Sequence, residues 1–146
     1  MHDLPRHLSR EELAELFEGD TALVQRLAET ENPLERAREL ARGLTEAEKL
    51  EALNAHPAIG QRGGLSTRSA AEQGADADPE VLAELARLNR EYEERFGFRF
   101  VVFVNRRPKA EILEVLRERI RRRREEELDT AVEELVAIAE DRWRTS

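Results

Sequence analysis

Apolar residues recur at helical spacing along most of the chain, and each run opens on a legible start signal. Ser9 and Glu12 predict a capping box ahead of Leu13, Leu16 and Phe17. Asp20 is placed to cap a second short helix carrying Leu23, Val24 and Leu27, and Asn32-Pro33 supplies a cap and a first-turn proline for a third. That third run, with Leu34, Ala37, Leu40 and Ala41, stops near Gly43. Thr45 and Glu48 repeat the capping box for a fourth, which carries Leu50, Ala52 and Leu53 toward His56. Ser69 to Gln73 can open a short helix, and Asp78-Pro79 starts a long one with the stripe Val81, Leu82, Leu85, Leu88, Tyr92 and Phe96, ended by Gly97. Beyond Pro108 one helix carries Ile112, Leu113, Leu116 and Ile120, and a last one carries Leu128, Val132, Leu135, Val136 and Ile138.

Two stretches break this rhythm. In "EALNAHPAIGQRGGLS", residues 51 to 66, Pro57 disfavours helical backbone at His56, so the imidazole stands at or just past a helix end before a loop with three glycines. In "FGFRFVVFVNRRP", four of the five phenylalanines fall between residues 96 and 103. Such a run reads as a buried strand, yet no second strand is visible, so its backbone groups must find caps, side chains, water or a ligand.

A chain of 146 residues predicts one domain over 1–146. Its 32 acidic and 24 basic side chains leave a net charge of −8, which argues against a general binder of nucleic acid or anionic membrane. The absence of cysteine removes disulfides, thiolate nucleophiles and cysteine-based zinc sites. No apolar run is long enough to span a bilayer and "MHDLPRHLSREE" lacks a signal-like apolar stretch, so a cytoplasmic setting is expected. The three histidines, His2, His7 and His56, do not share a helical face, so no metal site is expected.

By residue type alone, His56 is either a helix-ending, solvated or carbonyl-capping side chain or a general acid or base. Glu72 is one glutamate among many unless folding brings it beside His56, where a carboxylate would orient the imidazole and raise its basicity. The block Arg121 to Arg124 followed by Glu125 to Glu127 suits a solvated face of i,i+4 ion pairs better than a nucleic-acid contact. Arg142 could meet a carboxylate, although a last helical turn favours arginine in any case. The Leu128 to Ile138 stripe is core or a contact between copies.

Taken in order, "AHPAIG" at 55 to 60, "SAAEQ" at 69 to 73, "LNREYEERFGFRFVVFVNRR" at 88 to 107, "EIL" at 111 to 113 and "ELVAIAEDRW" at 134 to 143 resemble the OHCU decarboxylases of purine catabolism, with a weaker match at "ELFEG" near residue 15. That resemblance implies an all-α, single-domain bundle of about seven to eight helices with an extended Phe-rich segment near 98–105. It implies a carbon–carbon lyase that converts 2-oxo-4-hydroxy-4-carboxy-5-ureidoimidazoline to (S)-allantoin in urate breakdown, without cofactor or metal, with a small molecule rather than nucleic acid or membrane as partner. A homodimer is also implied. On the residues, it makes His56 the acid/base group, with Glu72 and Arg142 as its catalytic companions, and places Pro57, Ser69, Gln73, Phe103 and Asn105 at the substrate.

The chain also departs from that pattern. Arg99 stands where the family often has a small residue or proline, and Asn105 where a small residue is common. A non-catalytic helical interaction module using the Leu128 to Ile138 stripe, and a paralogue acting on a related ureido or imidazoline compound, are the competing readings.

Overall fold

The computed structural model describes residues 4–56 and 78–145. Among them are seven helices and no strand: α1 (Arg10–Leu16), α2 (Ala22–Ala28), α3 (Pro33–Arg42), α4 (Glu46–Asn54), α5 (Pro79–Phe96), α6 (Lys109–Arg119) and α7 (Arg124–Thr145). The short helix expected near Ser69 lies outside the described residues.

The helix starts follow the local chemistry with one correction. Both capping boxes form, Ser9 with Glu12 and Thr45 with Glu48. Thr21, not Asp20, caps α2 through its hydroxyl, because the Asp20 carboxylate is engaged by the Arg10 guanidinium at 2.7 Å. Asn32 does occupy the cap of α3, but in a left-handed conformation (φ 53°) and without a side-chain cap bond; its backbone N–H donates to Arg6 O instead. Gly97 closes α5 at φ +80°, where a Cβ would be strained, and donates its N–H to Glu93 O.

The longest helix, α7, is the spine against which α1, α3 and α4 pack, while α2 bridges α1, α3 and α4 and α6 packs on α5. Its apolar stripe, Leu128, Val132, Leu135, Val136 and Ile138, is buried in the chain's own core. The surface an interaction module would offer is therefore already covered from within.

Residues 98 to 104 run extended between α5 and α6, and side chains replace the missing ladder. Asn54 Oδ1 accepts from the Arg99 N–H at 3.0 Å, Arg119 donates to Val101 O at 2.8 Å, and Glu134 accepts from the Phe103 N–H at 3.4 Å. Arg107 returns its guanidinium to Phe103 O and Val104 O. Asn105 and Arg106, both left-handed (φ 48° and 62°), turn the chain into α6. The rings of Phe96, Phe98 and Phe100 surround Tyr92 with centroids 4.6, 5.9 and 5.3 Å away, so the phenylalanines form a core on one face of the extended chain.

The Arg/Glu block is a solvated face only in part: Arg121, Arg123 and Glu125 are exposed and Arg122 pairs with Glu126 at i,i+4. Arg123 does pair with Glu126 in the open, but Glu127 is fully buried and accepts from Tyr92 Oη at 2.6 Å, Arg119 Nε at 2.8 Å and Arg122 Nη1 at 2.9 Å. Arg124 reaches Phe96 O and Glu46. The pull of a buried phenol and guanidinium overrides the run's apparent solvent character.

Candidate active site around His56

The end of α4 presents His56 to the interior. Ala55 is the C-cap of the helix, and the His56 N–H still reaches back to Leu53 O at 3.2 Å. Its side chain is buried, 5% exposed, and Nε2 has no hydrogen-bond partner among the described residues. A buried polar atom without a partner costs free energy, so a group able to hydrogen-bond to it would be bound favourably there.

Three charged groups act on the imidazole. Burial first, then the Arg142 charge and more weakly that of Arg99, lower its pKa from 6.5 to about 4, with Glu18 pulling the other way. At neutral pH the ring is uncharged.

Arg142 comes from the last turns of α7 and is itself buried. Its Nη1 donates to Leu16 O at 3.0 Å, one of the carbonyls left open at the end of α1, and lies 3.1 Å from Glu18 Oε1. Glu18 can reach it because its backbone is left-handed (φ 63°), turning the chain sharply after α1. The next residue, Gly19, lies so close to α4 that an added Cβ would stand 3.2 Å from Ala55 Cβ. The turn after α1 and the end of α4 are thus held together beside the buried histidine.

On the opposite flank, Arg99 donates its guanidinium to His56 O, and its Nε lies 3.5 Å from Glu93. Of the residues expected at the site, the structure brings His56 and Arg142 into one electrostatic group. Phe103 lies four residues beyond Arg99, roughly 13 Å of extended chain. It is half-buried, while Asn105 is exposed at the turn. Pro57, Ser69, Glu72 and Gln73 lie outside the described residues. Glu18 and Arg99 lie inside stretches that carry the resemblance, but nothing in the sequence singles them or Asn54 out as companions of His56; only their tertiary contacts do.

The sequence profile of the OHCU decarboxylase family matches residues 2–144. This chain belongs to the OHCU decarboxylase family. Among its relatives, the uric acid degradation bifunctional protein TTL of Arabidopsis thaliana is 37% identical over 100 residues, 62% of this chain and 31% of that protein. A 2-oxo-4-hydroxy-4-carboxy-5-ureidoimidazoline decarboxylase of Haloferax volcanii is 36% identical over 97 residues, 63% of this chain and 57% of its own length. The chain therefore spans between about a third and three-fifths of these curated relatives. A crystal structure of an OHCU decarboxylase in the presence of (S)-allantoin superposes with a TM-score of 0.76 at 27% identity, over 90% of this chain and 94% of the other. A crystal structure of (S)-allantoin synthase shares the fold at 21% identity, with a TM-score of 0.71 over 93% of this chain and 48% of that one. The all-helical architecture of the described residues thus matches the OHCU decarboxylase fold, as the resemblance implied.

Proposed function

We propose that this chain, acting as one domain, is a carbon–carbon lyase that decarboxylates 2-oxo-4-hydroxy-4-carboxy-5-ureidoimidazoline to (S)-allantoin. The observation that carries the reading is the buried, uncharged imidazole of His56, whose Nε2 has no partner among the described residues, within the "AHPAIG" stretch on which the resemblance rests.

The chemistry follows from that environment. An arriving carboxylate places a negative charge beside His56, which favours the imidazolium and draws one proton from solvent. The carbon–carbon bond to the carboxylate then breaks. Carbon dioxide leaves without the bonding pair, which passes into the substrate's own conjugated C=N and carbonyl groups. The imidazolium returns its proton to one face of the ring carbon that becomes the stereocentre, and His56 is again neutral. One carboxylate and one proton have become carbon dioxide and a neutral product. The substrate supplies the electron sink, so the reaction asks of the protein only orientation, charge stabilisation and one proton.

In this reading Arg142 meets a polar group of the substrate while Glu18 holds it in place. Glu72 orients His56, and Gln73, Ser69, Pro57, Phe103 and Asn105 complete the pocket. A cytoplasmic homodimer is the setting proposed with it, in keeping with the finding that no described helix is long and apolar enough to cross a membrane.

The test is to generate the substrate in place from urate with urate oxidase and hydroxyisourate hydrolase and to follow optical activity. Rapid appearance of the S enantiomer supports the proposal. Racemic product at the uncatalysed rate removes it in favour of a paralogue with another substrate.

A further inference from the structure

Arg99, one of the two positions read from the sequence as departures from the family pattern, ties the extended segment to the end of α4. It does so twice. Its backbone N–H donates to Asn54 Oδ1 at 3.0 Å, and its guanidinium donates to the His56 carbonyl. That carbonyl lies past the last turn of α4 and before a proline, so the helix offers it no amide partner. A cation there also meets the negative end of the helix dipole. Glu93 on α5, 3.5 Å from Arg99 Nε, holds the guanidinium from behind, so the arginine is braced on both sides although its side chain is a third exposed.

We propose that Arg99 is a positioning residue for His56: backbone and guanidinium together fasten the C-terminal end of α4 to the extended segment and fix where the imidazole stands. A proline at position 99 would lose the N–H and a small residue the guanidinium, so either would leave one half of this clip. The proposal rests on the reading of His56 as the proton-handling group where it concerns turnover, but its structural half stands apart from any activity.

The charged groups that bear on the imidazole are Arg142 from α7, Glu18 from the turn after α1, and Arg99 from the extended segment. Replacing Arg99 leaves the first two in place. The experiment compares wild type, R99A, R99Q and R99K, reading the His56 ring titration by NMR and kcat and KM separately. R99Q keeps a donor for the carbonyl without the charge, and R99K keeps the charge without the planar fork.

In R99A the His56 midpoint is expected to rise, by less than a charge-removing change at Arg142 would raise it, as a like charge is lost and the helix end gains solvent. The same variant should lose kcat about ten- to a hundredfold with a smaller change in KM. R99K should recover part of both, and R99Q part of kcat with a raised midpoint. Folded R99A and R99Q proteins with the wild-type His56 titration and wild-type kcat would overturn the proposal. An Arg99-dependent His56 titration in a wild-type protein without decarboxylase activity would instead overturn the proposed function and leave the positioning role standing.

Discussion

Arg142 Nη1, from the end of the longest helix, lies 3.1 Å from Glu18 Oε1 in a turn more than a hundred residues earlier, and both flank the buried His56. Each partner needs the other. Arg142 is almost wholly enclosed, so losing the Glu18 carboxylate removes an opposite charge from a buried cation that faces a buried imidazole. E18Q is expected to destabilise the fold by about 2 kcal/mol, less than a fully enclosed pair because Glu18 retains some solvent contact. It should also push the His56 midpoint below its wild-type value of about 4, since Glu18 is the group that raises it. Urea unfolding and an NMR titration read the two effects. An unchanged His56 midpoint would show that Glu18 does not act on the ring.

The depressed pKa of His56 predicts how stability depends on pH. The unfolded chain binds a proton at this residue below about 6.5, whereas the folded chain does so only below about 4. Between those values the unfolded state holds more protons, so stability is complete above about 6.5 and is lost as pH falls toward 4. The loss attributable to this group is on the order of 3 kcal/mol, and it ceases below the folded pKa. Carboxylates such as Asp20 and Glu133, held low by Arg10 and Arg42, contribute their own acid sensitivity at lower pH. The difference between wild type and H56Q isolates the histidine. Parallel stability curves for the two proteins from pH 7 to 4 would contradict the assignment.

The helix plan was legible in the sequence because it rests on short-range signals. Capping boxes at Ser9 and Thr45, the proline after Asp78 and the glycine after Phe96 act within a turn or two of where they stand. The Asp20 assignment failed for the complementary reason. Its carboxylate is claimed by Arg10, ten residues away, and the adjacent Thr21 hydroxyl caps in its place. Glu127 was illegible for the same cause: in a run of three glutamates nothing local distinguishes the one that meets Tyr92 and Arg119. His56 announced itself through its proline, but Glu18, which opposes the lowering of its pKa, and Arg99, which holds its carbonyl, are joined to it only by tertiary packing.

The Tyr92–Glu127–Arg119 network should be a stability element rather than a chemical one. The tyrosine hydroxyl is held in its protonated form, chiefly by burial and then by its hydrogen bond to Glu127. Y92F removes a hydrogen bond to a charged acceptor and is expected to cost about 2 kcal/mol. E127Q leaves Arg119, stacked 4.6 Å from the Phe100 ring centroid, without its counter-charge and should cost about 3 kcal/mol or more. Thermal unfolding of the two variants checks the order. Y92F more damaging than E127Q would show that the charge pair is not the centre of the network.

Gly19 gives a test of geometry without changing charge. A methyl group at this position would press on Ala55 Cβ, which belongs to a helix end and cannot rotate away. G19A is therefore expected to destabilise by about 1 kcal/mol and to lower turnover more than stability alone explains, because His56 follows Ala55 directly. Stability and kcat measured on the same preparation decide it. Wild-type values of both would mean that the turn and the helix end move apart freely.

The most direct test of the account is the rate of (S)-allantoin formation at neutral pH by wild type and by H56N, each shown by circular dichroism to be folded. The account predicts rapid stereospecific product from wild type and a loss of about a hundredfold or more in H56N, the share a positioned acid or base contributes. A folded H56N protein that forms the S enantiomer as fast as wild type would contradict it.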